Sequence, residues 1–458
     1  MKSMRELTNI QNINKVYFLG IGGIGMSAIA RYFNSKGIVV AGYDKTPTAL
    51  TKQLEHEGIY VHFNDDIKEF PQDADLVVYT PAIPADNAIL NWCRNNHLQL
   101  LKRSDMLQII SRDTYNICIA GTHGKTTTST MVAHVLRDSG YGCNAFLGGI
   151  ATNYQTNFWS HSNHVAVIEA DEYDRSFLKL YPNIISISAM DPDHLDIYHT
   201  SSEMEDAFVQ FTSNLKQGGL LLSKKGIQRE DELRADKHYT YHLKDNTADI
   251  YTTSLAIQDG GYLYNVNGPD WSIENINLKM GGMHNVENSL VAIAVAKYLG
   301  ITDELIRKSL SNFLGVKRRF EYVLHSNEHV FIDDYAHHPE ELKVLITGAK
   351  TMFPQRKSTV VFQPHLFTRT RDLVDGFADM LELADEVILL PIYPARELPI
   401  PGISSEWLAS KMKDKVRVMS KEEVVEYVNK NQPALLITAG AGDIDKMVEP
   451  LKNCLLAS

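Results

Sequence analysis

No apolar run in this sequence approaches the ~20 residues that a helix needs to cross a bilayer, so no membrane insertion is expected. The nearest thing to a targeting signal is Lys15 followed by residues 16–30, VYFLGIGGIGMSAIA. Its four glycines are spaced for a turn and a strand-like run leads into them, which argues against a secretion signal. Cysteine is scarce. Cys93, Cys118, Cys143 and Cys454 share no metal-type spacing, and three fall in or near predicted core elements, the pattern of reduced thiols in a cytoplasmic protein. Cationic excess is absent too: 45 Lys and Arg against 56 Asp and Glu leave a formal charge of −11. That excludes bulk binding to nucleic acid or to an anionic membrane, so any anionic ligand must be held by local basic groups. There is no low-complexity segment and no internal repeat. Length sets an expectation of about three domains, and composition leaves an oligomer open.

What is present is a series of strand–turn–helix units whose turns carry the polar residues. The central one is Gly121-Thr122-His123-Gly124-Lys125-Thr126-Thr127-Thr128. An apolar run over residues 115–120 leads in, and residues 129–140 read as a helix with Met131, Val132, Val135 and Leu136 on one face. A helix N-terminus offers unpaired N–H groups and partial positive charge to a phosphate. Lys125 adds a full charge, and the Thr126 hydroxyl suits Mg²⁺. The usual pattern is G-x-x-x-x-G-K-[ST]. Here Ile119 stands at the first glycine, so the loop is a shorter variant. An ordinary turn with an exposed lysine is the plain alternative.

Upstream, Gly20-Ile21-Gly22-Gly23-Ile24-Gly25 follows a predicted strand over 16–19 and opens a helix over 26–36. A second strand over 38–43 ends at Asp44, placed to meet a ribose hydroxyl. This turn suits NAD or another diphosphate such as a UDP-sugar; close packing alone would also use such glycines. A strand over 76–79 is followed by Thr80-Pro81-Ala82-Ile83-Pro84, at the edge where parallel sheets bind ligands. Residues 100–113 read as a boundary.

Two further strands, 165–168 and 184–189, end in acid clusters containing Glu169 and Glu172, and Asp191, His194 and Asp196. In a domain with a phosphate loop these suggest Mg²⁺ held by one or two carboxylates with Thr126. Glu172, Asp174 and Asp196 are more readily read as solvated loop acids, and His194 is a softer ligand than Mg²⁺ prefers. Residues 218–275 read as antiparallel sheet. Asn288, at the start of an apolar helix over 289–299, is either a cap or a reader of a base edge. A basic run, residues 315–320, marks a second boundary. Beyond it, strands over 330–332, 358–362, 386–390 and 434–438 again end in polar turns. The fold class is α/β in three domains: 1–112, Rossmann-like; 113–317, a central domain with the phosphate loop; and 318–458, Rossmann-like.

These motifs, GIGGIGMS, GTHGKTTT, EADEYDRSF, DPDHLDIY, HNVENSLVAIAVA, KRRF with DDYAHHPEE, and FQPHLFTRTRD, stand in one order from about residue 15 to about residue 447. Together they resemble the Mur ligases of peptidoglycan precursor synthesis, and within them the branch that joins L-alanine to UDP-N-acetylmuramate. The resemblance implies ATP-dependent amide formation through an acyl phosphate, with ATP and Mg²⁺ as cofactors. It makes Gly121, Thr122, His123, Gly124, Lys125, Thr126 and Thr127 the ATP loop. Thr126, Glu169 and His194 become the metal-site residues, Asn288 the adenine reader, and Arg319 and Asp334 contacts to ATP from beyond the second boundary. It gives Tyr335 and Arg369 to the amino-acid pocket and makes His338 a candidate for handling the amine proton. Gly20, Gly22, Gly23, Ile24, Gly25, Asp44, Thr80, Ala82 and Ile83 would hold the UDP-sugar. Many members carry Arg directly after the His of the last motif. Here it is Leu366, so one cation toward the amino-acid carboxylate is missing or supplied by Arg371, and glycine or L-serine would be held by similar groups. The rivals are a recycling ligase that adds a tripeptide to the same sugar nucleotide, which lacks the arginine-rich run, an NAD-dependent oxidoreductase, and a non-catalytic UDP-sugar sensor.

Overall fold

The computed structural model of the chain describes residues 13–192, 195–395, 397–413 and 416–457. Among the described residues the strands form three sheets. The first contains β1 (Lys15–Leu19), β2 (Val39–Tyr43), β3 (Tyr60–His62), β4 (Leu76–Tyr79) and β5 (Leu100–Lys102), all parallel in the order β3-β2-β1-β4-β5. The order reverses beside β1, so a crevice opens at its carboxyl end, where the first glycine turn lies. Residues 100–113, read as a boundary, carry β5 and the helix Arg103–Arg112, which buries Met106, Leu107 and Ile110. A three-residue strand carries too little pattern to be legible.

The second sheet contains β6 (Tyr115–Ala120), β7 (Asn144–Ala151), β8 (Thr156–Trp159), β9 (Val165–Glu169), β10 (Ile184–Ile187), β11 (Leu220–Lys224), β12 (Lys237–His242), β13 (Ile250–Gln258), β14 (Gly261–Asn267) and β15 (Ser272–Leu278). Its order is β15-β14-β13-β12-β11-β10-β6-β9-β7-β8. The expectation of antiparallel sheet over 218–275 needs correction. β11 and β12 extend the parallel sheet, and only β13, β14 and β15 pair antiparallel within that stretch. The reason is burial. The first four residues of β11 are all buried, as in a parallel strand covered on both faces, whereas β14 mostly alternates. The β13–β14 turn does follow its letters: Asp259 and Gly260 both take positive φ, 49° and 71°, as a primed two-residue hairpin turn requires.

The third sheet contains β16 (Glu321–His325), β17 (Val330–Asp334), β18 (Ser358–Phe362), β19 (Glu386–Leu389), β20 (Val416–Val418) and β21 (Leu435–Ala439), in the order β16-β17-β21-β18-β19-β20. Only β16 runs antiparallel to its neighbour. The α/β class with three sheet-centred units is therefore as the sequence implies.

The units meet unequally. The helix Ile24–Ser35, opened by the first glycine turn, packs on the β7–β8 hairpin of the second sheet. There Asn157, wholly buried, accepts from the Arg31 guanidinium and donates to Ser27 Oγ at 3.0 Å. Arg31 also pairs with Glu57 at 2.7 Å, and Tyr32 lies 5.5 Å from Phe146, ring to ring. The third unit is joined by the segment 315–320. Val316 bridges to Ala151, Phe320 fills the space left by Gly281, and Tyr322 donates to the Gly260 carbonyl at 2.7 Å.

Candidate active site

β6 is buried from its second residue on and delivers the phosphate loop to the sheet edge. Gly121 has φ +118°, and a Cβ there would lie 2.2 Å from Ser188 Oγ, so glycine is obligatory. Gly124, in the left-handed region, is the N-cap of the helix Lys125–Asp138. The helix thus begins four residues earlier than its apolar period suggests, which puts Lys125 and Thr126 in the first turn.

Lys125 Nζ donates to the Gly121 carbonyl at 2.9 Å and to Glu172 Oε1 at 2.7 Å. Glu172 is fully buried, and its other oxygen has no partner among the described residues. Burial pushes its carboxyl above the usual range, partly offset by Lys125. The reading of Glu172 as a solvated loop acid is therefore corrected. Nothing in EADEYD separates it from Asp174; burial under the loop does. Glu169, at the end of β9, accepts from Thr126 Oγ1 at 2.9 Å and from the Gly148 backbone at 2.9 Å. A Cβ on Gly148 would stand 2.4 Å from Glu169 Oε2, so β7 approaches the carboxylate as only glycine permits. Thr126 and Glu169 together present the hard oxygen donors that Mg²⁺ accepts. His194, the third expected metal-site residue, lies outside the described residues, as does Asp193. Among the described residues no three His, Cys, Asp or Glu side chains are grouped to hold a metal. His123 is exposed, with Nε2 3.3 Å from Asp191; Thr122 accepts from the Asp191 backbone, and Thr127 is buried in the helix.

Asn288 is neither at the start of its helix nor a cap. The helix is Met283–Tyr298, and Gly282 caps it. Asn288 faces the phosphate loop: a Cβ on Gly124 would lie 2.9 Å from its Oδ1. Asp334 accepts from the backbone of Phe320 at 2.6 Å and of Ala336 at 2.7 Å, so it shapes the joining segment. Burial raises its carboxyl to about 6. Its neighbour Asp333, raised to about 7 by burial, is tied to Arg318 and Thr438.

In the first unit, a Cβ on Gly20 would strike Thr80 Cγ2 at 2.7 Å and approach Ile83, so the glycine turn and the 80–83 loop are in contact. The Ala82 backbone donates to Thr80 Oγ1 at 3.4 Å. Asp44 accepts from the Gly22 N–H at 2.8 Å, and Gly23 caps the helix Ile24–Ser35. A cleft of about 200 Å³ runs from Ile24 and Gly25 to Thr126 and Glu169, with Arg319 on its rim. It brings residues of all three units together. Arg103, which no motif singled out, also lines it. The only hint was the basic pair at the end of β5.

The residues expected to form the amino-acid pocket sit elsewhere, at the carboxyl edge of the third sheet. Tyr335 packs under the Arg318 guanidinium and meets the His337 ring at 5.2 Å. Arg369 Nη1 lies 3.3 Å from His365 Nδ1, and His365 stacks on Tyr393. Burial and Arg369 hold the His365 imidazole below its usual range. His338 is exposed at the N-cap of the helix Pro339–Met352. Leu366 adopts φ +72°, unusual for a branched residue, and Arg371 pairs with its neighbour Asp372. Tyr335, His338 and Arg369 are not among the residues of the Thr126–Glu169 cleft. His337, His365 and Tyr393 join them as residues the motifs alone did not assign.

Sequence profiles of the Mur ligase family match three segments: the "Mur ligase family, catalytic domain" over residues 15–115, the "Mur ligase middle domain" over 119–296, and the "Mur ligase, glutamate ligase domain" over 318–442. The chain is 45% identical over 454 residues to the UDP-N-acetylmuramate–L-alanine ligase of Cytophaga hutchinsonii, covering 97% of each. It is 42% identical to the ligase of the same name from Flavobacterium johnsoniae, covering 98% of this chain and 99% of that one. Among solved structures, the UDP-N-acetylmuramate–alanine ligase of Thermotoga maritima superposes with a TM-score of 0.84 at 28% identity, over 97% of this chain and 99% of that one. A murein peptide ligase of Psychrobacter arcticus shares the fold at a TM-score of 0.67 and 22% identity, over 96% and 98%.

Proposed function

The chain belongs to the Mur ligase family, and we propose that it joins L-alanine to the muramoyl carboxylate of UDP-N-acetylmuramate at the expense of ATP. The products are UDP-N-acetylmuramoyl-L-alanine, ADP and phosphate. The carboxylate oxygen attacks the γ-phosphorus, ADP leaves, and an acyl phosphate forms. The L-alanine amine then attacks the acyl carbon and phosphate departs with the C–O electron pair. A reaction that consumes ATP supports a cytoplasmic location.

Residues 1–112 hold the sugar nucleotide, 113–317 the ATP, and 318–458 the amino acid. Phosphoryl transfer asks for position and charge rather than covalent help from side chains. Lys125 and the N–H groups of Gly121–Thr127 hold the β- and γ-phosphates, and Asn288 reads the base. Glu172 keeps Lys125 aimed across the loop until phosphate arrives. Thr126 and Glu169, with His194 by motif position, would hold Mg²⁺, and the ion would supply charge to neutralise phosphate oxygens. Arg319 adds charge from the joining segment, and Asp334 fixes that segment's backbone. Arg369 and Tyr335 receive the amino acid, and His338 is placed to take the amine proton once the third unit closes on the cleft.

The single observation that supports this reading is the cleft lined by Gly25, Thr126, Glu169 and Arg319, where a carboxylate and a γ-phosphate could be brought together. In the test, phosphate release from ATP must depend on both UDP-N-acetylmuramate and L-alanine. Release that ignores either substrate sinks the reading. Glycine, L-serine and the tripeptide in place of L-alanine separate the neighbouring specificities.

A further inference from the structure

We propose that Arg103 binds the reacting carboxylate of the sugar nucleotide and aims it at the phosphate loop. This deepens the ligase reading and rests on it. Arg103 is the first residue of the helix Arg103–Arg112, directly after β5. Its guanidinium lies against the glycine turn: a Cβ on Gly25 would stand 2.6 Å from Nη1 and 3.4 Å from Cζ. A side chain at 25 would have to displace the guanidinium from this position.

A guanidinium carries five N–H donors. Among the described residues the hydrogen-bond partner of Arg103 is Asp171, and that contact is long, 3.4 Å from Nη2. The side chain is 25% exposed, and Arg103 lines the cleft together with Thr126 and Glu169. The remaining donors are thus available where an anion would arrive. The cleft joins Gly25 of the first glycine turn to Thr126 and Glu169 of the second unit, so a sugar nucleotide seated on the first unit would bring its terminal group here. The group that must come within reach of Thr126 and Glu169 is the carboxylate that takes the phosphoryl group. The planar fork of an arginine matches it bidentately. Apolar side chains, Leu107 and Phe146 among them, also line the cleft.

The test uses the full-length enzyme with Arg103→Met and Arg103→Lys. The readouts are KM for UDP-N-acetylmuramate, kcat, and the inhibition constant of UDP-N-acetylglucosamine, which shares the nucleotide and diphosphate but has no carboxylate. Arg103→Met is expected to raise KM for the substrate about 10- to 100-fold, as loss of a charged hydrogen-bonding pair does. The inhibition constant should stay within about twofold. Arg103→Lys should recover part of the loss. A parallel rise in both constants would assign Arg103 to the diphosphate or to the unit interface and overturn the proposal; so would no change in either. The ligase reading itself is judged separately, on whether the unaltered enzyme couples phosphate release to both substrates.

Discussion

The two joints between the three units are built on different principles. Between the first and second units the helix Ile24–Ser35 sinks a charged and amide network, Arg31, Glu57, Asn157 and Ser27, against the β7–β8 hairpin and flanks it with Tyr32, Phe146 and Phe158. A buried polar network has few alternative arrangements, because any shift leaves desolvated donors without partners. Between the second and third units the joint is a short segment in which Arg318 and Phe320 take left-handed φ of 60° and 47°. Such conformations cost about 1 kcal/mol each outside glycine and concentrate where the fold over-determines the backbone. The first unit is thus set against the second over a whole helix face, whereas the third is joined through the segment 315–320 and the Tyr322–Gly260 contact.

The largest test of that division is Lys125→Ala. Ligation should fall by about 10²- to 10³-fold or more, while binding of UDP-N-acetylmuramate, measured by calorimetry, survives. Equal loss of both would mean that the two sites are not separate. Next, Asn157→Ala strips the first joint of its central partner. Leaving buried polar groups unpaired costs about 1–3 kcal/mol, seen as a lower first transition in scanning calorimetry. No shift would show that the network is not what holds the joint. Third, small-angle scattering with ATP analogue, sugar nucleotide and alanine should show compaction, because Arg369 and Tyr335 lie away from the cleft. An unchanged profile would contradict a mobile third unit.

A subtler effect concerns pH. Burial raises Asp334 to about 6 and Asp333 to about 7, above their unfolded values. The folded chain then holds protons that the unfolded chain has released. The pair's contribution to stability is greatest below about pH 4 and is lost as pH rises through 6 to 7. Melting temperatures from pH 4 to 7 should fall less steeply in Asp334→Asn than in the unaltered chain. The smallest effect is expected at Arg371, which is exposed and already paired with Asp372. Arg371→Ala should leave KM for the amino acid within about twofold, since exposed pairs carry little. A large rise would show that Arg371 stands in for the cation missing at Leu366.

Legibility differed from residue to residue for identifiable reasons. Gly20, Gly121 and Gly124 were readable because positive φ is a local demand with a local answer. The start of the helix at Met283 is hidden because its first turn is largely polar, which leaves Asn288 open between a cap and a reader of a base edge. Glu169 and Glu172 belong to one acidic run, yet one faces the Thr126 hydroxyl and the other is sealed beneath Lys125. Arg103 was invisible because its meaning depends on Gly25, distant in sequence.

By itself, then, the sequence determined the strand–turn–helix units, the glycine positions, the class of reaction and the order of the parts. These depend on backbone conformation and on motif spacing within a few residues. Only the tertiary structure decided which acid meets Lys125, which arginine reaches the cleft, and which joint is tight. Those outcomes depend on burial and on contacts across dozens to more than a hundred residues, where the same side chain is a solvated charge or a desolvated partner according to what packs over it.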